Sequence, residues 1–134
     1  MSTCPDYAFE HVAINVAEPE EMAKWYEKNL GMTIVRTAAF GTHFLADTSG
    51  RVVIEIYKNS NIEILDYPNL HQSTLHLAFI VNSVKETREK LVTAGASIVD
   101  DILTTDAGDE MLMLKDPWGV TIQFITRAMP MLKL

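Results

Sequence analysis

The chain is poor in cysteine, in positive charge and in long apolar runs, and each shortage removes a class of protein. Its only cysteine, Cys4, has no partner for a disulfide and no neighbour that marks it as a nucleophile, so a stapled secreted scaffold is excluded. No charged stretch followed by an apolar one opens the sequence as a signal peptide would, and a reducing cytoplasm is the expected location. No apolar run approaches the roughly twenty residues of a membrane span. Lys and Arg together number 11 against 18 Asp and Glu, a net charge of −7, which disfavours nucleic acid and anionic membranes because both are bound chiefly through cationic side chains. A small molecule or a protein partner remains. At 134 residues and 48% hydrophobic, the chain suits a single domain with a core large enough to need no staples.

What the sequence does have is the same pattern twice. His11-Val12-Ala13-Ile14-Asn15-Val16 is followed by a helix-like stretch, Gly31 and a β-like run; His76-Leu77-Ala78-Phe79-Ile80-Val81 is followed by the same order with Gly95. The offset is 65 residues at the histidines and 64 at the glycines, so register is kept across a whole helix and the halves read as a duplicated module. In the first half, residues 7–16 alternate as a strand, with His11, Ala13 and Asn15 on one face and Val12, Ile14 and Val16 on the other. Glu18-Pro19-Glu20-Glu21 opens a helix, because proline is tolerated in a first turn and the helix dipole favours acids there. Met22, Trp25, Tyr26 and Leu30 form its apolar stripe, and Gly31 ends it. Strands are expected at 32–39, 42–47 and 51–58.

The second half repeats this: a strand at 74–81, a helix from Ser83 to Ala94, and strands near 97–104, 110–115 and 119–126. Ser83 and Glu86 have capping-box spacing. Asp116-Pro117-Trp118-Gly119 stands where Asp47-Thr48-Ser49-Gly50 stands in the first half. The expected division is a first module over about 7–58, a connector over 59–73 and a second module over 74–126. The connector carries Ile62, Ile64, Leu65, Tyr67 and Leu70, too many large apolar side chains for a disordered linker.

Each half ends in a strand with one polar residue among apolar ones, Glu55 in the first and Gln123 in the second. A strand period of two places His11, Glu55, His76 and Gln123 opposite the apolar residues Val12, Ile54, Ile56, Leu77, Ile122 and Phe124. The apolar set suits burial beneath the helices, leaving the four polar residues on an inner concave face. An ionised glutamate in such a strand costs several kcal/mol to desolvate without compensation, and a divalent cation is the simplest compensation. Imidazole, carboxylate and amide donors suit Zn, Ni, Co, Mn or Fe better than Ca or Mg. A lone strand histidine or glutamine is more often simply hydrogen-bonded than a ligand; the matched quartet is what favours a metal site. Such a metal would keep room for a substrate oxygen and could polarise a carbonyl.

These residues resemble the vicinal oxygen chelate superfamily, which includes glyoxalase I, bleomycin-resistance proteins, fosfomycin-resistance enzymes, methylmalonyl-CoA epimerase and extradiol dioxygenases. The resemblance spans about 7–126 and is carried by His11–Val16, by Trp25-Tyr26-Glu27-Lys28-Asn29-Leu30-Gly31-Met32-Thr33-Ile34-Val35, by His76–Val81 and by Asp116-Pro117-Trp118-Gly119-Val120-Thr121-Ile122-Gln123-Phe124. It implies an α+β fold of two βαβββ modules whose curved mixed sheets enclose a metal or ligand cavity, in many members within a homodimer whose cavities can draw on both subunits. By family position His11, Glu55, His76 and Gln123 are the metal ligands. Most family enzymes have Glu at the last position, and in glyoxalase I and the epimerase a glutamate at the metal serves as base; an amide cannot accept that proton, so the resemblance leaves Glu55 as the candidate catalytic base.

The leading expectation is a glyoxalase-like, metal-dependent lyase or isomerase that abstracts a proton next to a metal-bound carbonyl of a small oxygen-rich substrate. The alternative is a metal-free binding protein of the bleomycin-resistance type, whose acidity suits a cationic or aromatic ligand. Tyr57 shares the Glu55 face and is a candidate substrate contact, as is Trp118 at the rim; wall packing is the plainer account of both. His43 and His71 read as ordinary loop or strand-edge residues, with ligand or acid–base roles as alternatives. Met111, Met113, Met129 and Met131 suit either an adaptable binding surface or ordinary packing.

Overall fold

The computed structural model describes residues 6–132, so Cys4 lies outside the described residues. The chain divides into two units, Met1–Leu65 and Asp66–Leu134.

In the first unit, β1 (His11–Asn15) leads into α1 (Pro19–Leu30), followed by β2 (Thr33–Ala38), β3 (Thr42–Ala46) and β4 (Val53–Tyr57). The sheet order is β1-β4-β3-β2, with β1 parallel to β4 and the other pairs antiparallel. Pro19 occupies the first turn of α1 beside Glu20 and Glu21, and Gly31 ends the helix at φ 66°, a left-handed conformation that glycine adopts without a Cβ penalty. Met22, Ala23 and Tyr26 are fully buried, while Trp25 and Leu30 are half-buried at the margin of the stripe. They pack over β2, β3 and β4, where Leu45, Ile54 and Ile56 face them.

The second unit repeats the order with β5 (Leu77–Ile80), α2 (Val84–Thr93), β6 (Ser97–Thr104), β7 (Glu110–Lys115) and β8 (Thr121–Thr126), and its sheet runs β5-β8-β7-β6. Ser83 caps α2, its hydroxyl accepting from the Glu86 amide at 3.1 Å. Val84 and Leu91 seal the helix over β6, β7 and β8, against the fully buried Leu112, Leu114, Ile122 and Phe124. Each half is therefore a βαβββ module, and the fold is α+β with two open mixed sheets. Neither sheet closes on itself: β1 and β2 are the edges of one, β5 and β6 of the other. Among the described residues, no helix is long and apolar enough to cross a membrane.

The opening strands of both halves are shorter than the alternation suggests, 11–15 rather than 7–16 and 77–80 rather than 74–81. Their length is set by the partner: Val53–Tyr57 pairs with β1, and Ile122–Ile125 with β5. The connector is ordered at both ends. In the first unit the Asn15 carboxamide exchanges two hydrogen bonds with the Asn59 backbone, at 2.8 and 3.1 Å. In the second, Tyr67 is buried and the Lys115 ammonium donates to the carbonyls of Tyr67, Pro68 and Leu70 at 2.8, 2.8 and 2.9 Å.

Candidate functional site

Strand register fixes which side chains share a face. In the first sheet Glu55 lies opposite Ala13 on β1 and opposite Phe44 on β3. His11, two residues before Ala13, therefore points to the same side, away from α1. The two come together: His11 Nε2 is 3.6 Å from Glu55 Oε1, with side chains 34% and 21% exposed. His11 Nδ1 is 2.9 Å from Glu10 Oε1, and the Phe44 ring meets the imidazole edge-on at 5.8 Å. A carboxylate can only accept, so Nδ1 carries the hydrogen given to Glu10, and Nε2 is the ring atom that faces the Glu55 carboxylate. With a proton on Nε2 this is an imidazolium–carboxylate pair; with Nε2 unprotonated, a cation between the two atoms would satisfy both. A separation of 3.6 Å is within reach of two ligands that each lie about 2.0–2.2 Å from a shared metal. Glu10, His11, Val35, Arg36, Phe44 and Val53 line a cavity of about 330 Å³ at this place.

The second sheet repeats the placement. Gln123 lies opposite Ala78 on β5, and His76 stands two residues before Ala78, so His76 bears the same diagonal relation to Gln123 that His11 bears to Glu55. His76 precedes the strand and is exposed; its Nδ1 donates to the Gln72 carbonyl at 2.9 Å, which leaves Nε2 as the ring atom turned away from that contact. Across β8, Met113 faces Gln123 and Met111 faces Ile125. Asp100, Asp101, Ile102, Leu103, Met111, Leu112, Met113 and Gln123 line a cavity of about 540 Å³. Arg88 grips Asp101 through two parallel hydrogen bonds of 2.8 and 2.9 Å, which hold that carboxyl below its ordinary range, helped by the Ile102 amide.

Of the other candidates, Tyr57 is on the Glu55 face, half-buried, opposite Asn15. Trp118 sits in the turn between β7 and β8, its amide donating to the buried Asp116 carboxylate at 2.9 Å. His43 lies on the other side of its sheet: it pairs with Ile56, is buried, and its Nδ1 bonds the Gly41 carbonyl at 2.6 Å. His71 accepts from the Ser73 amide at 3.0 Å and so stabilises a turn. Met111 and Met113 line the second cavity, whereas Met129 and Met131 are exposed. Among the described residues, no three His, Cys, Asp or Glu side chains gather as a metal-ligating group; each unit holds two of the four candidate ligands.

Residues that sequence reasoning missed are Glu10, Phe44, Arg36, Gln72 and Asp100. Phe44 was accessible through the β3 alternation, since a residue directly opposite Glu55 shares its face. Arg36 and Asp100 were not, because a bulge sits between Ile34 and Arg36 and again between Ile98 and Asp100. The bulge reverses the parity and turns Arg36 toward the Phe44 side and Asp100 toward the Met113 side.

A pair of βαβββ units, each with a histidine on or just before its first strand and an oxygen donor on its last, defines the class of protein. The model of the glyoxalase/bleomycin resistance protein/dioxygenase superfamily matches residues 8–124, and the chain belongs to that superfamily. The fold recurs in solved structures. An integron cassette protein from the Halifax Harbour sewage outfall metagenome is 21% identical, with a TM-score of 0.68 over 91% of this chain and 99% of that one. An antibiotic-binding protein from a Streptomyces species is 15% identical, with a TM-score of 0.69 over 91% and 97%. A glyoxalase family protein from Bacillus cereus is 13% identical, with a TM-score of 0.69 over 93% and 95%. Comparison with curated proteins finds no match.

Proposed function

We propose that this chain is a glyoxalase-like, metal-dependent lyase or isomerase that removes a proton beside a carbonyl of a small, oxygen-rich substrate. The observation that supports the reading is the His11–Glu55 pair, an imidazole nitrogen and a carboxylate oxygen 3.6 Å apart on one face of the sheet, a separation that two ligands of one metal ion can have. His11 and Glu55 in the first unit, and His76 and Gln123 in the second, are the proposed ligands of a divalent Zn, Ni, Mn, Co or Fe ion. Such an ion supplies Lewis acidity, polarising the substrate carbonyl and acidifying the adjacent C–H. Glu55 is the proposed base, the one carboxylate of the four; the Gln123 amide can orient a substrate oxygen but cannot take the proton. Tyr57, on the same face, can donate to a substrate oxygen. A cytoplasmic homodimer is the proposed form, supported by the lone cysteine and by the family resemblance.

The test is turnover of the metal-loaded protein on thiol adducts of α-oxoaldehydes and on epimerisable acyl thioesters in deuterated water. Incorporation of solvent deuterium next to the carbonyl is expected, and Glu55→Gln is expected to abolish it while the fold is kept. Unchanged incorporation in Glu55→Gln would remove Glu55 as the base.

A second reading is supported by the second-unit cavity. Its walls are Met111, Met113, Ile102 and Leu103, and its carboxylate outside an ion pair is that of Asp100, since Asp101 is held by Arg88. That environment suits a metal-free, ligand-sequestering protein of the bleomycin-resistance type whose ligand is apolar and cationic.

A further inference from the structure

His76 lies outside the hydrogen-bonded ladder: β5 begins at Leu77, and the residues before it form a turn. Its counterpart His11 is the first residue of its strand and takes its Nδ1 partner from the adjacent side chain of Glu10. In the second unit that partner is a backbone oxygen, the carbonyl of Gln72, so the direction of the His76 ring depends on where the 71–74 turn is held. The turn closes on itself through Thr74 N to the His71 carbonyl, at 2.9 Å, and Ser73 N to His71 Nδ1, at 3.0 Å. It is tied to the sheet by the Gln72 side chain, whose Nε2 donates to Asp100 Oδ2 at 3.0 Å. Gln72 is half-buried, whereas His71, Ser73 and Thr74 are exposed. Asp100 in turn is fixed opposite Met113, and Met113 opposite Gln123.

We infer that Gln72, clamped by Asp100, is a positioning residue for His76: its carbonyl holds the hydrogen on Nδ1 and thereby keeps Nε2 as the free donor atom. A carbonyl oxygen cannot donate, so this contact is satisfied by the Nδ1–H form and lost in the other tautomer. An imidazole without such a partner samples both tautomers and several rotamers, and a metal or substrate must then select the competent one. The unit thus uses the duplicated bulge to a local end, since it is the bulge before Asp100 that turns its carboxylate to the side where Gln72 can reach it. The inference rests on the proposed role of His76 for its purpose, while the geometry stands apart from that role.

The experiment uses the full chain free of metal, with Asp100→Ala, Asp100→Asn and Gln72→Met beside the parent protein. Long-range proton–nitrogen correlation spectra of the histidine rings, recorded above the range in which imidazole protonates, report the tautomer of His76. Zinc titration calorimetry reports affinity. The parent is expected to show His76 wholly in the Nδ1–H form. Asp100→Ala and Gln72→Met are expected to mix the two tautomers and to weaken zinc binding about tenfold or more, the usual scale for losing a partner behind a histidine ligand. Asp100→Asn is expected to restore both readings, because an amide oxygen still accepts from Gln72. An unchanged tautomer in Asp100→Ala and Gln72→Met would overturn the inference, as would a parent that already mixes tautomers. If the tautomer responds but no variant or parent binds zinc or the other candidate ions, the positioning stands and the metal-dependent reading fails. If zinc binds and neither tautomer nor affinity responds, the positioning alone fails. Should Asp100→Ala not fold, Gln72→Met decides the same question.

Discussion

His11 stands to Glu55 as His76 stands to Gln123: in each sheet the histidine lies two residues before the residue that pairs with the oxygen donor of the neighbouring parallel strand. The duplication therefore preserves a diagonal placement, and the difference between the halves is one of charge, a carboxylate in the first and an amide in the second. In the proposed mechanism that difference leaves Glu55 as the one base of the four. An amide oxygen contributes a dipole where a carboxylate contributes a full charge, so a metal ion held as proposed would gain less from Gln123 than from Glu55.

Restoring the charge should strengthen metal binding. Gln123→Glu is expected to raise affinity for divalent zinc or nickel by about tenfold or more, equivalent to at least about 1.4 kcal/mol. Titration calorimetry of the metal-free protein checks this. Equal affinity in the parent and Gln123→Glu would place residue 123 away from any bound ion.

The lining of the second-unit cavity predicts selectivity by charge. With methionine methyls labelled, 4-phenylbutylamine is expected to shift the Met111 and Met113 resonances, and the matched acid 4-phenylbutyrate to leave them in place. Asp100→Asn should weaken the response to the amine. Equal responses to both compounds would show that the Asp100 carboxylate does not select the ligand.

Gly119 carries a structural demand that the turn motif alone does not reveal. At φ 91° it is in the region glycine favours, and a Cβ added there would fall 2.6 Å from the Pro68 nitrogen. Backbone strain and the clash with the Pro68 main chain add, so Gly119→Ala is expected to cost about 2–4 kcal/mol in urea denaturation. Gly50 has a similar positive φ of 72° but open space around it, so Gly50→Ala should cost only about 1–2 kcal/mol. Equal costs would mean that Pro68 yields.

Acid should loosen the end of the last strand. The Asp109 carboxylate accepts from the Ala128 amide at 2.9 Å and from Arg127 at 3.0 Å, and these bonds, the amide first, hold its carboxyl below the ordinary range. A carboxyl depressed on folding stabilises the protein above its unfolded value, about 3.9, and loses that contribution as pH falls through the folded value. Asp109→Asn is therefore expected to be less stable than the parent at neutral pH, with the two converging below about pH 4. A difference constant across that range in denaturation curves would mean that the charge of Asp109 contributes nothing.

Much of this architecture is written in the sequence because it is written twice. Hydrophobic periodicity, Pro19, Gly31 and the Ser83 cap fix the helices, and a period of two fixes the faces of His11, Glu55 and Gln123. What escapes that reading lies where periodicity fails. Bulges reverse the parity of Arg36 and Asp100, and Glu10 and Gln72 stand outside the strands, where no alternation specifies direction. His43 illustrates the converse: it reads as an ordinary loop or strand-edge histidine, and register places it within β3, buried with Ile56 under the helix.

The most direct test of the metal-dependent reading is elemental analysis of the untagged protein, purified without chelator and then exposed to each of Zn, Ni, Mn, Co and Fe. Near-stoichiometric retention of at least one of these ions, lost in His11→Ala and in His76→Ala, is the predicted result. Failure to retain any of them, or retention unaffected by both substitutions, would contradict it.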